Sequence, residues 1–351
     1  MNRNKSLLKA FAMAAIVLMR GQIMAQVSAP TEPTSLSPVP AATVSETKRT
    51  PKDTADDEST LDSLLKQEGF GVVKLRQENL GHQQAHKNDP KHLIIDVEVN
   101  RVSASLMVDT GTPTSNIARD RLKKFGLVEQ KTSYRVTSPL GSASNKFYGI
   151  AKLNMLAMGN CVIQDLPVLI EAIPYADGVL GSDDMHRIGA VLDCAEPALY
   201  YAPWGPLSGT SSKLAATLQS NGFTRVPMRL TLEHRLEVAC SIDGVPSTII
   251  VDTGSLATCV DKSIGIKAGI IMKHTRTMLI GSGGARARVS VGHVKQFAIG
   301  GFEIRDSDIR FLDLKKANHH PSAYLLGIGE LVSNSAIIDV GSLNMYLRHS
   351  Q

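Results

Sequence analysis

Two aspartates sit where a carboxylate is costly. Asp109 ends the apolar run Leu106-Met107-Val108 and is followed by Thr110-Gly111-Thr112. Asp252 ends Ile249-Ile250-Val251 and is followed by Thr253-Gly254-Ser255. A carboxylate at the end of a buried strand needs donors to offset its lost hydration. The backbone N–H groups of the turn that follows can supply them. Gly111 and Gly254 permit a tight loop, Thr112 and Ser255 close it, and the hydroxyls of Thr110 and Thr253 can bond across to the opposite copy. If a two-fold relation brings the loops together, carboxylates about 3 Å apart cannot both ionise and share one proton. One then acts as base on a bound water and the other as acid toward a carbonyl.

The elements that position them form an internal repeat. Val97 to Val102 leads into the first loop as Cys240 to Val245 leads into the second, at a constant offset of 143 residues. Gly126-Leu127 continues the match with Gly269-Ile270. Upstream, Leu61 to Leu65, Gly69-Phe70, Val73 and Leu75 answer Leu214 to Leu218, Gly222-Phe223, Val226 and Met228, now at an offset of 153. The first copy therefore carries an extra polar loop at about 81–90. Downstream, Gly178 to Ser182 answers Tyr324 to Ile328, Asp193 answers Asp339, and Gly159 and Asp165 answer Gly300 and Asp306.

Local signals within each copy are β. Residues 93–99, 104–108, 236–242 and 247–251 are short and rich in Ile, Val and Leu. Asn100-Arg101 and Asp243-Gly244 stand where hairpin turns belong, Asp-Gly being the stronger signal. Helices are expected at about 61–68, 117–125, 184–188, 214–220 and 328–334. The expectation is an all-β, bilobal protein with pseudo-two-fold symmetry, a lobe at 59–205 and a second at 206–351, joined by a Pro/Gly/Ser-rich connector at 203–212.

These residues carry a family resemblance. Val108-Asp109-Thr110-Gly111-Thr112, Val251-Asp252-Thr253-Gly254-Ser255, Val179-Leu180-Gly181 and Leu325-Leu326-Gly327 make the chain similar to retropepsin-like and pepsin-like aspartic peptidases. It is most similar to bacterial proteins that fuse two retropepsin-type domains. The resemblance spans about residues 60–350 and implies the acid-protease barrel fold. It further implies that Asp109 and Asp252 are catalytic, that Thr110 and Thr253 interlock the loops, and that no metal or organic cofactor is needed. A polypeptide substrate would lie in an interlobe cleft under hairpin flaps at about 134–149 and 276–290. Neither flap carries a tyrosine in the pepsin setting, Tyr148 being a poor match, and each lobe is shorter than a pepsin lobe. Asp193 and Asp339 lack the Thr-Gly sequel and read as strand-end residues. Arg286 and Arg288 read as solvated flap charges, with a preference for acidic substrates as the sharper alternative.

Composition narrows the class. The formal charge is +5, but Arg3, Lys5, Lys9 and Arg20 stand in the first 25 residues, where no acid does. Without them 34 basic residues face 33 acidic ones, which does not suit a nucleic-acid partner. Residues 1–25 have a basic start, an apolar stretch from Ala10 to Met19 and a small-residue cleavage site after Ala25, as in an export signal. A secreted or periplasmic location, without a stable membrane span after cleavage, is the expectation. Residues 26–58 read as a Pro/Ser/Thr-rich disordered tether. Cys161, Cys194, Cys240 and Cys259 read as buried free thiols, since three align with apolar Phe302, Val340 and Val97; within-lobe disulfides are the alternative in an exported protein. The ten histidines show no metal spacing. The expected activity is that of an aspartic endopeptidase on exported or envelope polypeptides, with a monomer sufficient because both halves share one chain. The alternatives are a non-catalytic peptide-binding module and a zymogen.

Overall fold

A computed structural model describes residues 57–80, 90–138, 141–202, 210–281, 286–313 and 325–349. The segments expected to be an export signal and, for the most part, a tether, the extra loop up to residue 89, residues 203–209 of the expected connector and the tips of both flaps lie outside the described residues.

Each copy opens with a helix, Asp57–Gln67 in the first and Thr210–Ser220 in the second. Both stop at a left-handed glycine, Gly69 at φ 84° and Gly222 at φ 82°. The next residue then donates back into the last turn: Phe70 N–H to Leu65 O at 2.9 Å, and Phe223 N–H to Leu218 O at 3.0 Å. The apolar faces of both helices meet in one cluster with Tyr200, Ile337 and Tyr346. They cover a six-stranded sheet to which both copies contribute three strands. In chain order these are Gly71–Lys74, Val191–Asp193, Ala198–Tyr201, Thr224–Pro227, Ile337–Asp339 and Asn344–Leu347. The two copies join at its centre, where Val191 pairs with Asp339, Leu192 with Ile338 and Asp193 with Ile337.

Beyond this sheet each copy builds an eight-stranded sheet of the same strand order. Each curls until the strand next to one edge pairs with the strand next to the other. His92–Val99 pairs with Gly141–Met158 in the N-terminal lobe, as Leu236–Ile242 pairs with Arg286–Ile299 in the C-terminal lobe. The interior of both is a single apolar core that includes Leu93, Ile95, Leu106, Phe297 and Phe311. The chain is an all-β, bilobal acid-protease fold with pseudo-two-fold symmetry.

Residues matched by the repeat adopt matched backbones. Asn100 and Arg101 (φ 51° and 68°) and Asp243 and Gly244 (φ 44° and 80°) all lie in the left-handed region that two-residue hairpins demand. Asn100 earns its place without a glycine partner, because its Oδ1 accepts from Asn154 and Met155 N–H and its Nδ2 donates to Phe125 O. Asp165 and Asp306 share φ values of 54° and 49°.

One helix expectation fails. Residues 117–125 are not a helix: Asn116–Ala118 is a strand and Arg119–Arg121 a single 3₁₀ turn. The strand is demanded by its parallel pairing with Leu169 to Glu171, which outweighs the local helical signal. The matched segment of the other copy, Lys262–Lys267, is a helix that the sequence reading missed, started by Asp261 Oδ1 accepting from Ser263 N–H at 2.9 Å. The four cysteines are unpaired. Burial pushes the Cys194 thiol well up and those of Cys240 and Cys259 up to about 12, which makes them poor nucleophiles.

Candidate active site

Each aspartate is delivered by one arrangement. Val102–Asp109 runs parallel to Gly178–Gly181, and Val245–Asp252 runs parallel to Leu325–Gly327. The Asp loop threads back over the second strand of each pair. Contact there is backbone against backbone: a Cβ on Gly181 would stand 2.7 Å from Pro113 O, and one on Gly327 2.4 Å from the Ala257 carbonyl carbon. Only glycine fits, so the apolar-apolar-Gly element is a seat for the loop.

The two loops interlock. Thr110 Oγ1 donates to Val251 O at 2.8 Å and accepts from Thr253 N–H at 3.1 Å. Thr253 Oγ1 donates to Val108 O at 2.8 Å and accepts from Thr110 N–H at 3.1 Å. Both threonines are fully buried. Four reciprocal bonds thereby fix one strand end against the other.

The interlock brings the carboxyl groups together over the opposite glycines. A Cβ on Gly111 would lie 2.4 Å from Asp252 Cγ, and one on Gly254 2.4 Å from Asp109 Cγ. Asp109 lies close enough to Asp252 to perturb its ionisation directly. Their support is unequal. Asp109 accepts from Gly111 N–H at 2.8 Å, Thr112 N–H at 3.1 Å and Thr112 Oγ1 at 2.7 Å. Asp252 accepts from Gly254 N–H at 3.0 Å. Ser255, which matches Thr112, turns its hydroxyl away to Ala257 O at 2.9 Å. Burial, then the charge of Asp109, push Asp252 well above the usual carboxylate range. This favours the proton of the pair on Asp252.

A buried network that the sequence reading did not single out holds both loops from below. Ser115 Oγ donates to Asp184 Oδ2 at 2.6 Å and accepts from Gly181 N–H at 3.0 Å. In the other lobe Thr258 Oγ1 donates to Glu330 Oε2 at 2.5 Å and accepts from Gly327 N–H at 3.1 Å. Ser115 and Thr258 keep the 143-residue offset, but their acidic partners differ in type and lie about 70 residues further on.

Other groups face the dyad. His92 is 7% exposed and lies beside the Gly254 backbone, with its Nδ1 buried and unpartnered. Burial lowers its pKa, against the opposing pull of Asp109 and of the Gly254 backbone. Its counterpart in the repeat is Arg235. Tyr175 is 44% exposed, yet the surrounding protein, followed by the charges of Asp109, Glu171 and Asp252, pushes its hydroxyl up to about 12. Tyr148, on a flap strand, is also pushed up to about 12, chiefly by burial and next by Glu171.

The remaining candidates fall elsewhere. Asp193 and Asp339 lie in the central sheet and bind turn N–H groups, Asp193 those of Ala195 and Glu196, Asp339 that of Ser342. Arg286 is exposed on the second flap beside a groove lined by Arg276, Met278 and Ile280. Among the described residues no group of His, Cys, Asp or Glu is disposed to hold a metal ion, and no helix is long and apolar enough to cross a membrane.

Comparisons with known proteins follow the same division. Residues 95–187 match the family model of the gag-polyprotein putative aspartyl protease, and residues 238–329 match that of the aspartyl protease. Among curated protein sequences none matches this chain. Similar solved structures include an aspartic proteinase from Irpex lacteus (14% identity, 80% of this chain and 98% of that one, TM-score 0.48). A retropepsin-like aspartic protease from Rickettsia conorii aligns at 19% identity over 38% of this chain and 92% of its own (TM-score 0.30). Basic 7S globulin from soybean aligns at 9% identity over 80% and 95% (TM-score 0.41). With one family domain matched in each lobe, the chain belongs to the retropepsin-like and pepsin-like aspartic peptidase family.

Proposed function

We propose that this protein is an aspartic endopeptidase that hydrolyses peptide bonds with a water held between Asp109 and Asp252. The observation that carries this reading is the contact of the two carboxyls across interlocked loops, one better supplied with donors than the other. In the reaction, Asp109 takes a proton from the water as its oxygen attacks the scissile carbonyl carbon. Asp252 gives its proton to the carbonyl oxygen, which forms a neutral tetrahedral diol. The proton on Asp109 then passes to the leaving nitrogen, the C–N bond breaks, and a diol proton returns to Asp252. Thr110 and Thr253 act as positioning residues. The apolar strands behind the dyad keep water other than the reacting one from its base.

The raised proton affinity of Asp252 sets the direction of the pH dependence. The singly protonated pair survives to higher pH than an ordinary carboxylate would allow, and activity falls as pH rises through the Asp252 titration. The N-terminal segment, read as an export signal, favours polypeptides outside the cytoplasm as substrates.

The test is cleavage of a diverse peptide library by the purified full chain from about pH 3 to 7, beside Asp109→Asn and Asp252→Asn. Either variant is expected to lose about 10³-fold or more of the activity while keeping its fold. Cleavage that survives in either variant, or a folded wild type that cuts nothing at any pH, overturns the reading.

A further inference from the structure

The repeat makes the two halves of the cleft equivalent, yet three matched positions beside the dyad break the equivalence in one direction. In the N-terminal lobe, Asn116 Nδ2 donates to Glu171 Oε2 at 3.2 Å across parallel strands. Both residues are buried, at 4% and 7% exposed. The matched strands of the C-terminal lobe place Cys259 and Leu312 there, at 2% and 1%. The flap strand repeats the change. Gly149 pairs with Ile170 as Ser290 pairs with Phe311, so Tyr148 is matched by Val289. One lobe places a carboxylate, an amide and a phenol at these positions; the other places a thiol and two aliphatic side chains that join its buried core.

Packing does not require the polar set, because the opposite lobe fills the same places with apolar groups. A buried carboxylate is costly and is kept where it does something. The pair also carries an acceptor still to be used: Asn116 Oδ1 is buried without a hydrogen-bond partner. The strand of Asn116 leaves the Asp109 loop directly, so this polar set adjoins the dyad. Tyr175 senses the charges of Glu171, Asp109 and Asp252 together, which places all three around one space. A carboxylate with a neighbouring amide oxygen suits a cationic donor such as a lysine or arginine side chain.

We propose that Glu171, positioned by Asn116, is the specificity-determining residue of the N-terminal half of the site and takes a lysine or arginine of the substrate, a preference that the matched, apolar positions Cys259, Val289 and Leu312 of the other half do not share. The substrate then binds in one direction only. This rests on the peptidase reading above.

The test uses the full chain and peptides in which each position flanking the cut is varied among lysine, arginine, norleucine, glutamine and glutamate. Wild type is expected to favour lysine or arginine at one position, on one side of the cut, by roughly 10- to 100-fold. Glu171→Gln should erase that preference, read as the ratio of kcat/KM for the lysine and norleucine peptides in the same preparation. Glu171→Leu, which copies the residue of the other lobe, should turn the preference apolar and serves if the first variant does not fold. Binding of the same peptides to the Asp252→Asn chain, which requires no turnover, separates the two claims. Charge-selective binding that disappears with Glu171→Gln upholds the subsite even without cleavage. Indifference to charge in the wild type, or a basic preference unchanged in both Glu171 variants, overturns it.

Discussion

The Asp109 and Asp252 loops have nearly the same sequence and are seated, interlocked and sterically confined alike. They differ at the residue after Asp-Thr-Gly: the Thr112 N–H reaches the Asp109 carboxylate, whereas the Ser255 N–H bonds the main-chain oxygen of Asp252. Thr112 aims its hydroxyl at Asp109, whereas Ser255 aims its own at Ala257 O. That leaves three donors on one carboxylate and one on the other. A fold built twice from one plan gives two equal acids; general acid–base work needs unequal ones. The difference is confined to one residue at the rim of each loop. The same economy appears in the matched strands of the two lobes, where Asn116, Tyr148 and Glu171 are replaced by Cys259, Val289 and Leu312 with the pairing unchanged.

The comparison can be broken most severely at the glycines beneath the carboxyls. Gly111→Ala drives a methyl into Asp252 and Gly254→Ala drives one into Asp109. Each should cost about 10²-fold in kcat/KM, with the far-ultraviolet spectrum unchanged, since a shift near 1 Å of a reacting group has that effect. Similar losses from the two variants would show that the scaffold treats the carboxyls alike.

The central sheet offers a second comparison, read in stability. Burial raises Asp193 from the ordinary 3.8 to about 6, so the fold favours its neutral form. Its stabilising effect is complete below about pH 4 and is lost as pH rises through 6, a change on the order of 3 kcal/mol. Asp193→Asn keeps an oxygen for the Ala195 and Glu196 N–H groups and removes the charge. It should therefore melt higher than wild type at pH 7 and alike at pH 4. Asp339, raised by burial in the same way, should respond in the same direction. Equal melting at pH 7 in both pairs would contradict the assignment.

The smallest effect sharpens the comparison most. Thr112→Val removes a charge-assisted donor from Asp109 and should lower kcat/KM about 10-fold. Ser255→Ala removes a hydroxyl that does not touch the dyad and should stay within about 2-fold. Equal losses would mean that the two hydroxyls serve the same purpose.

Much of this was readable from the chain because repetition exposes it. The paired Asp-Thr-Gly loops, the hairpins at Asn100 and Asp243 and the glycine stops at Gly69 and Gly222 are local features with local signals, seen twice. The cross-bonding of Thr110 and Thr253 followed from the symmetry they imply. What escaped depends on distance or orientation. Ser115–Asp184 and Thr258–Glu330 join residues about 70 apart whose types differ between copies. Threonine and serine after Asp-Thr-Gly look equivalent until their hydroxyls are seen to point apart. The segment 117–125 carries helix-forming residues, but its pairing with 169–171 makes its start a strand, and no local pattern announces a partner 50 residues away.

The most direct test of the unequal pair is a titration of the full chain labelled with ¹³C at the aspartate carboxyls, followed by NMR and assigned by the resonances lost in Asp109→Asn and Asp252→Asn. The account predicts that the Asp252 resonance titrates well above the ordinary carboxylate range. An Asp252 resonance that titrates near 4, where unperturbed aspartates do, would contradict it.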